Sequence, residues 1–212
     1  MNEMKYLDEL MERYPALEAV RDRILEAYQI LRDCYEQGGK LLVAGNGGSA
    51  ADSEHIVGEL MKGFVKRRQV SEEFACALKQ TDPEKGAELA DKLQGGLMAI
   101  ALCGHLGLST AYLNDVDGDL IYAQQTYGYG RQNDVLLGIS TSGNSKNVDY
   151  AVVTAKAIGM KVIGLTGKDG GKLKASADVA IVVPEQETYK IQELHLPIYH
   201  ALCLMLEEHF FG

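Results

Sequence analysis

Five short segments of this chain are apolar almost without interruption, and this restricts its fold more than any other feature. They read "KLLVA" (40–44), "LMAIALCG" (97–104), "DVLLGIS" (134–140), "KVIGLTG" (161–167) and "DVAIVVP" (178–184). A strand with one face in water alternates apolar and polar residues, whereas an unbroken apolar strand is covered on both faces. Helical patterns follow several of these runs, notably "SAADSEHIVGELMKGF" and "NSKNVDYAVVTAKAIGM". Strands of that kind alternating with helices specify an α/β chain: a three-layer αβα sandwich around a central, mainly parallel sheet. Long helices belong at both ends. Leu17, Val20, Ile24, Tyr28 and Leu31 fall at helical spacing with Gly38-Gly39 as the stop, and "KIQELHLPIYHALCLMLEEHFF" is a long apolar helix. One domain over 1–212 accounts for the chain, interrupted by a charged insertion at about 65–96.

The bulk properties remove several classes of function. A net charge of -9 excludes general nucleic-acid or membrane-surface binding, which needs a basic face. Cys34, Cys76, Cys103 and Cys203 are scattered with no CxxC pair, so they read as buried thiols of a reducing compartment. The opening "MNEMKYLDELMERYP" has no apolar core of a secretory signal, and no run approaches the ~18 residues of a membrane span. The expectation is a cytoplasmic protein.

Gly45-Asn46-Gly47-Gly48-Ser49-Ala50 ends the first apolar run and opens a helix, with Ser49 as the expected N-cap. It fits G-x-G-x-x-A, but a dinucleotide site needs a second strand ending in an acidic residue about 20 residues on. That distance lands in "GFVKRR", so a nucleotide cofactor is not expected. A second loop, "GISTSGNS" (138–145), also follows a strand and precedes a helix. Its hydroxyls and free N–H groups at a helix N-terminus suit a phosphate monoester. Either loop alone reads as turn and capping residues. Two at strand carboxyl ends favour one phosphate site in a crevice of the sheet.

These residues resemble a family. "GNGGSAAD", "GISTSGNS", "TGKDGGK" and "IQELHLPIYH" look like the SIS (sugar isomerase) fold, which is flavodoxin-like, and within it the phosphoheptose isomerases. The resemblance covers most of the chain from Leu17 to Phe211, apart from the charged stretch after Lys62. It implies a phosphorylated sugar as substrate, held by Asn46, Gly47, Gly48, Ser49, Ser140, Thr141, Ser142 and Ser145, with Asn114 and Asp115 near the sugar hydroxyls. It also implies a homo-oligomer, with a tetramer favoured. The apolar first and last helices point the same way, since they carry more nonpolar surface than one sandwich layer needs.

Aldose–ketose isomerisation moves a proton between adjacent carbons, so it needs a base and an acid–base partner. His55 and Glu59, at i and i+4, share a helix face directly after the first loop. The last helix offers Gln192, Glu193, His195 and His200. Taken singly, each reads as an ordinary helix residue. The resemblance selects His55, Glu59, Gln192 and His200, implying acid–base roles for Glu59 and His200, a substrate contact for Glu59 and Gln192, and one zinc ion on all four. His200 favours an enzyme over a non-catalytic SIS module that senses a sugar phosphate or binds a protein.

Other patterns are rejected. "NDVDGDL" resembles a calcium loop, but its glycine is at the fourth position and Thr126 stands where glutamate is needed. "VKRR" (65–68) is read as a solvated basic cluster. Two departures from the family stand out. "MKGF" replaces the usual Gly-Arg-Tyr, leaving Lys62 as the candidate basic residue, and the insertion is longer than the usual connection. "SEEFACALKQ" and "EKGAELADKLQ" within it look helical.

Overall fold

The computed structural model describes residues 3–212. Its sheet has five strands, all parallel: β1 Leu41–Gly45, β2 Ala99–Ala101, β3 Val135–Ser140, β4 Lys161–Thr166 and β5 Val179–Val182, in the order β2-β1-β3-β4-β5. Each strand falls on one of the five apolar runs. Side chains alternate across the pleat, so Leu41 and Val43 enter one core while Leu42 and Ala44 enter the other. The first core is covered by α1 Met4–Arg13, α2 Arg21–Glu36, α3 Gly48–Met61 and α10 Thr188–Phe211. The second lies under α7 Ile121–Tyr129, α8 Lys146–Ile158 and α9 Gly171–Ser176. The sandwich is therefore α/β with helices on both faces. Among the described residues no helix is long and apolar enough to cross a membrane.

Strand order reverses between β1 and β3, so their carboxyl ends frame a crevice there. Both glycine- and serine-rich loops leave the sheet at that crevice. Ser49 does not cap α3. The N-cap is Gly47, whose φ of 56° turns the chain sharply into the helix, and Ser49 lies inside the first turn, where it is buried.

The insertion contains α4 Glu72–Thr81 and α5 Pro83–Lys92, a helical pair capped by Ser71 and Asp82. No residue of α4 is buried, and only Gly86 of α5 is. Its base closes through an antiparallel bridge between Gln69 and Gln94.

That base corrects the reading of 65–68 as solvated. Arg68 is 1% exposed and forms a 2.8 Å ion pair with Glu207 of α10. Its guanidinium also donates to the carbonyls of Leu60 (2.7 Å) and Glu59 (3.0 Å), satisfying the orphan acceptors at the end of α3. Glu207 accepts from the backbone N–H groups of Phe64, Val65 and Lys66. The cluster is buried because each charge has a full set of partners.

Two helices lie outside the sequence expectation: α1, although its Leu7, Leu10 and Met11 fall at helical spacing, and α6 Leu106–Asp115, which has no such pattern. The apolar face of α10 is covered by α1 and α2 within the chain. Exposed apolar residues are instead scattered over the surface, and α6 and the residue after it contribute Leu106 (75% exposed), Leu113 (65%) and Val116 (61%).

Candidate active site

A cavity of about 290 Å3 opens at the carboxyl ends of β1 and β3. Asn46, Gly47, Gly48 and Ser49 form one wall, Ser140, Thr141 and Ser145 the other, and Thr188 and Gln192 close it from α10. None of these residues is cationic. What the cavity offers an anion is hydroxyls, amides and the backbone N–H groups that begin α3, α8 and α10, where the helix dipoles favour negative charge. Ser140 Oγ and Ser145 Oγ are 2.9 Å apart, so one hydroxyl positions the other. Ser145 stands at the N-cap of α8 without capping it, which leaves its hydroxyl available to a ligand. Asn46 and Asn147 exchange two side-chain hydrogen bonds of 2.9 Å and tie the two loops together.

Gly143 is required for steric reasons, and Gly48 makes room for a side chain of α10. Gly143 has φ 67°, and a Cβ there would fall on the Gly170 carbonyl. A Cβ on Gly48 would sit 2.5 Å from Gln192 Nε2, so the Gln192 amide rests against the first turn of α3.

Further along the same two helices lies a second cluster. His55 Nε2 is 3.3 Å from Glu59 Oε1, as helical neighbours allow. Lys62 Nζ reaches Glu59 Oε2 at 2.8 Å. His55 Nδ1 is 3.0 Å from the Tyr199 hydroxyl, which in turn is 3.2 Å from Asp52 Oδ1. The rings of His55 and His200 pack edge to face with centroids 5.0 Å apart, and Phe64 covers His200 from the other side. Burial lowers the pKa of His200 below the usual histidine range, and neighbouring His55 lowers it further against the opposing pull of Glu59. The His200 Nε2 is buried without a partner. On its other side His200 borders a groove between α1 and α10 that Arg13 also lines.

The two clusters are arranged along parallel rails. Gly48 meets Gln192 and His55 meets Tyr199, a step of seven residues on each helix. Seven residues of helix rise about 10 Å, which separates the hydroxyl-lined cavity from the His55–Glu59–His200 cluster.

Not every residue singled out in the sequence joins these clusters. Ser142 is outside the cavity lining, and its Oγ accepts from the Asn144 N–H at 3.2 Å. Asn114 and Asp115 are exposed at the end of α6, paired with each other at 2.8 Å. His195 is fully buried, and burial pushes it down to about 4, partly offset by the nearby Thr166 backbone. Glu193 is exposed. Thr188, Asp52 and Tyr199 are the additions. Thr188 lies one helical turn before Gln192, the only hint of its place that the sequence contains.

Two imidazoles and a carboxylate, with one imidazole nitrogen buried and unpartnered, form a donor set that fits a divalent metal. As the side chains stand, no three His, Cys, Asp or Glu among the described residues converge on one point. Gln192 stands apart from the other three, eight residues and about 12 Å along α10 from His200.

The SIS domain family profile matches residues 5–95 and 87–167. The chain is 39% identical over 206 residues to a phosphoheptose isomerase of a Nitratiruptor species, covering 95% of this chain and 96% of that one. It is 37% identical to a phosphoheptose isomerase of Helicobacter pylori, covering 92% and 88%. The chain belongs to the phosphoheptose isomerase family. The fold agrees with solved members of that family. The phosphoheptose isomerase of Neisseria gonorrhoeae superposes with a TM-score of 0.74 at 33% identity, over 95% of this chain and 94% of that one. The Francisella tularensis protein gives 0.74 at 31%, over 96% and 95%.

Proposed function

We propose that this chain interconverts sedoheptulose 7-phosphate and D-glycero-D-manno-heptose 7-phosphate through an enediol(ate). The observation that carries the reading is the spacing of about 10 Å along α3 and α10. It is the reach of an acyclic sugar phosphate whose phosphate lies at one end and whose carbonyl lies at the other. The phosphate sits among Asn46, Gly47, Gly48, Ser49, Ser140, Thr141 and Ser145, with Gln192 and Thr188 over the sugar. Glu59 takes the carbon-bound proton, and His200 moves the proton at the adjacent oxygen or carbon. His55, Glu59 and His200 would hold a divalent metal such as zinc, which would polarise the sugar oxygens, while Gln192, about 12 Å back along α10, stays with the sugar at the phosphate end. Lys62 keeps Glu59 aimed. The working form is a homo-oligomer, a tetramer on the family's pattern, with the exposed leucines of α6 among its contacts.

Incubating the purified protein with a panel of ketose and aldose phosphates tests the reading. Conversion of the seven-carbon 7-phosphates should exceed that of shorter ones. Phosphate-dependent binding without any conversion would instead mark a sugar-phosphate-sensing module.

Two variants probe the parts. Ser145→Ala should weaken binding of a sugar phosphate by about 1.5–3 kcal/mol, the worth of a hydrogen bond to a charged group, while the melting temperature stays near the parent's. Calorimetric titration reads the affinity, and equal affinities would move the phosphate elsewhere. Replacing 70–93 with a short Gly/Ser turn should leave the sandwich folded, because that segment contributes almost nothing to either core. Phosphate affinity should persist while sugar preference or oligomer size changes. A folded variant of unchanged oligomer size that no longer binds phosphate would show that the insertion contacts the ligand.

A further inference from the structure

Tyr199 lies beside the proposed reacting groups, yet nothing above assigns it a task. It is 1% exposed, and its ring packs edge-on against both His55 and His200 with centroids 5.5 and 5.0 Å away. We infer that Tyr199 is a positioning residue for His55: its hydroxyl fixes the imidazole as the Nδ1–H tautomer and leaves the Nε2 lone pair facing Glu59. The inference rests on His55 and Glu59 belonging to the working site.

Counting protons decides the direction of each hydrogen bond. A phenol has a single proton to donate and an oxygen that also accepts. The Tyr199 hydroxyl has two polar neighbours, Asp52 Oδ1 at 3.2 Å and His55 Nδ1 at 3.0 Å. A carboxylate can only accept. If the hydroxyl donated to His55, two acceptor oxygens would face each other at 3.2 Å. Asp52 Oδ2 is already buried without a partner, so the whole carboxylate would then be unpaired, a costly arrangement away from water. The proton therefore goes to Asp52, and the Tyr199 oxygen accepts from His55 Nδ1–H. In the neutral ring Nε2 is then bare.

That assignment has a chemical consequence. Nε2 faces Glu59 Oε1 at 3.3 Å, a lone pair against a carboxylate. A cation shared between the two, a proton or a divalent metal, relieves that contact. Outer hydrogen bonds of this kind fix the tautomer of ligating histidines and typically change metal affinity by roughly 10–100-fold. The Asp52–Tyr199 pair thus prepares His55 as a donor before anything binds.

The test uses the full chain with its histidines 15N-labelled, stripped of metal and held at mildly alkaline pH. Two-bond proton–nitrogen correlation should show His55 as the Nδ1–H tautomer. Tyr199→Phe should shift it toward Nε2–H and lower the affinity for Zn2+, measured against a chromophoric chelator, by roughly 10–100-fold. In turnover, kcat should fall while KM holds. Should Tyr199→Phe fail to fold, Asp52→Asn serves instead, because an amide can donate to the Tyr199 oxygen and reverse the chain. An Nε2–H tautomer in the parent overturns the inference, as does an unchanged tautomer and zinc affinity in the variants. An Nδ1–H parent with no activity on any sugar phosphate would sink the proposed reaction and leave the relay standing.

Discussion

Glu59→Gln should abolish nearly all turnover while sugar-phosphate binding and the fold survive. An amide cannot take a carbon-bound proton, and general acid–base groups contribute about 10²–10⁴-fold to rate. The fold should tolerate the change because a glutamine oxygen can still accept from Lys62, which reaches Glu59 at 2.8 Å. The phosphate cavity meets α3 at Gly48 and Ser49, at least ten residues and about 15 Å of helix rise before Glu59, so affinity should be nearly unaffected. Rates on a seven-carbon sugar phosphate and calorimetric binding separate the two effects. In the parent protein, solvent deuterium should enter the carbon next to the carbonyl. Turnover without exchange under any condition would point to a hydride shift, and Glu59 would then have no part as base.

The second large effect concerns stability. Glu207→Ala should cost about 3–5 kcal/mol, the penalty for leaving a buried charge without its partner. Arg68 and Glu207 are 0% and 1% exposed at the side chain, and the carboxylate also holds three backbone N–H groups of the 64–66 turn. Denaturant titration measures the loss, and a change below about 1 kcal/mol would mean that water reaches Arg68 in the variant. Replacing both residues with well-packed apolar ones should recover much of the stability, since apolar substitutes for a buried pair are often neutral or better. Recovery of activity should lag behind, because Arg68 also holds the carbonyl of Glu59 itself.

Much of this was legible in the residues, for a physical reason. Burial on both faces imposes unbroken apolar runs, so all five strands and the two loops at their carboxyl ends could be read directly. The helices α4 and α5 were legible too, because their own caps and periodicity define them without help from the core. Helix α6 was not. Its apolar residues are spread around the helix and not gathered into one stripe, and none of its residues is buried. Arg68 was misread for a different reason. A basic tetrapeptide is normally solvated, and only a carboxylate far along the chain makes its burial tolerable. Tyr199 and Asp52 were invisible as a pair because their relation exists only once α3 and α10 lie side by side. The same holds for the separation of Gln192 from His200, which reads as one helix face in sequence and as two ends of a site in space.

The parallel rails of α3 and α10 bear on selectivity. On the proposed reading, the distance between the anchored phosphate and the proton-transferring groups is fixed by backbone rise, since Gly48–Gln192 and His55–Tyr199 are rungs of one ladder. Helix rise is stiff where side chains are soft. Substrate length is thus measured against a ruler of main-chain hydrogen bonds, and a sugar too short to span it can be bound by its phosphate yet never meet Glu59. Changes to cavity side chains would retune affinity, but a new chain length would require residues to be gained or lost within the two helices themselves.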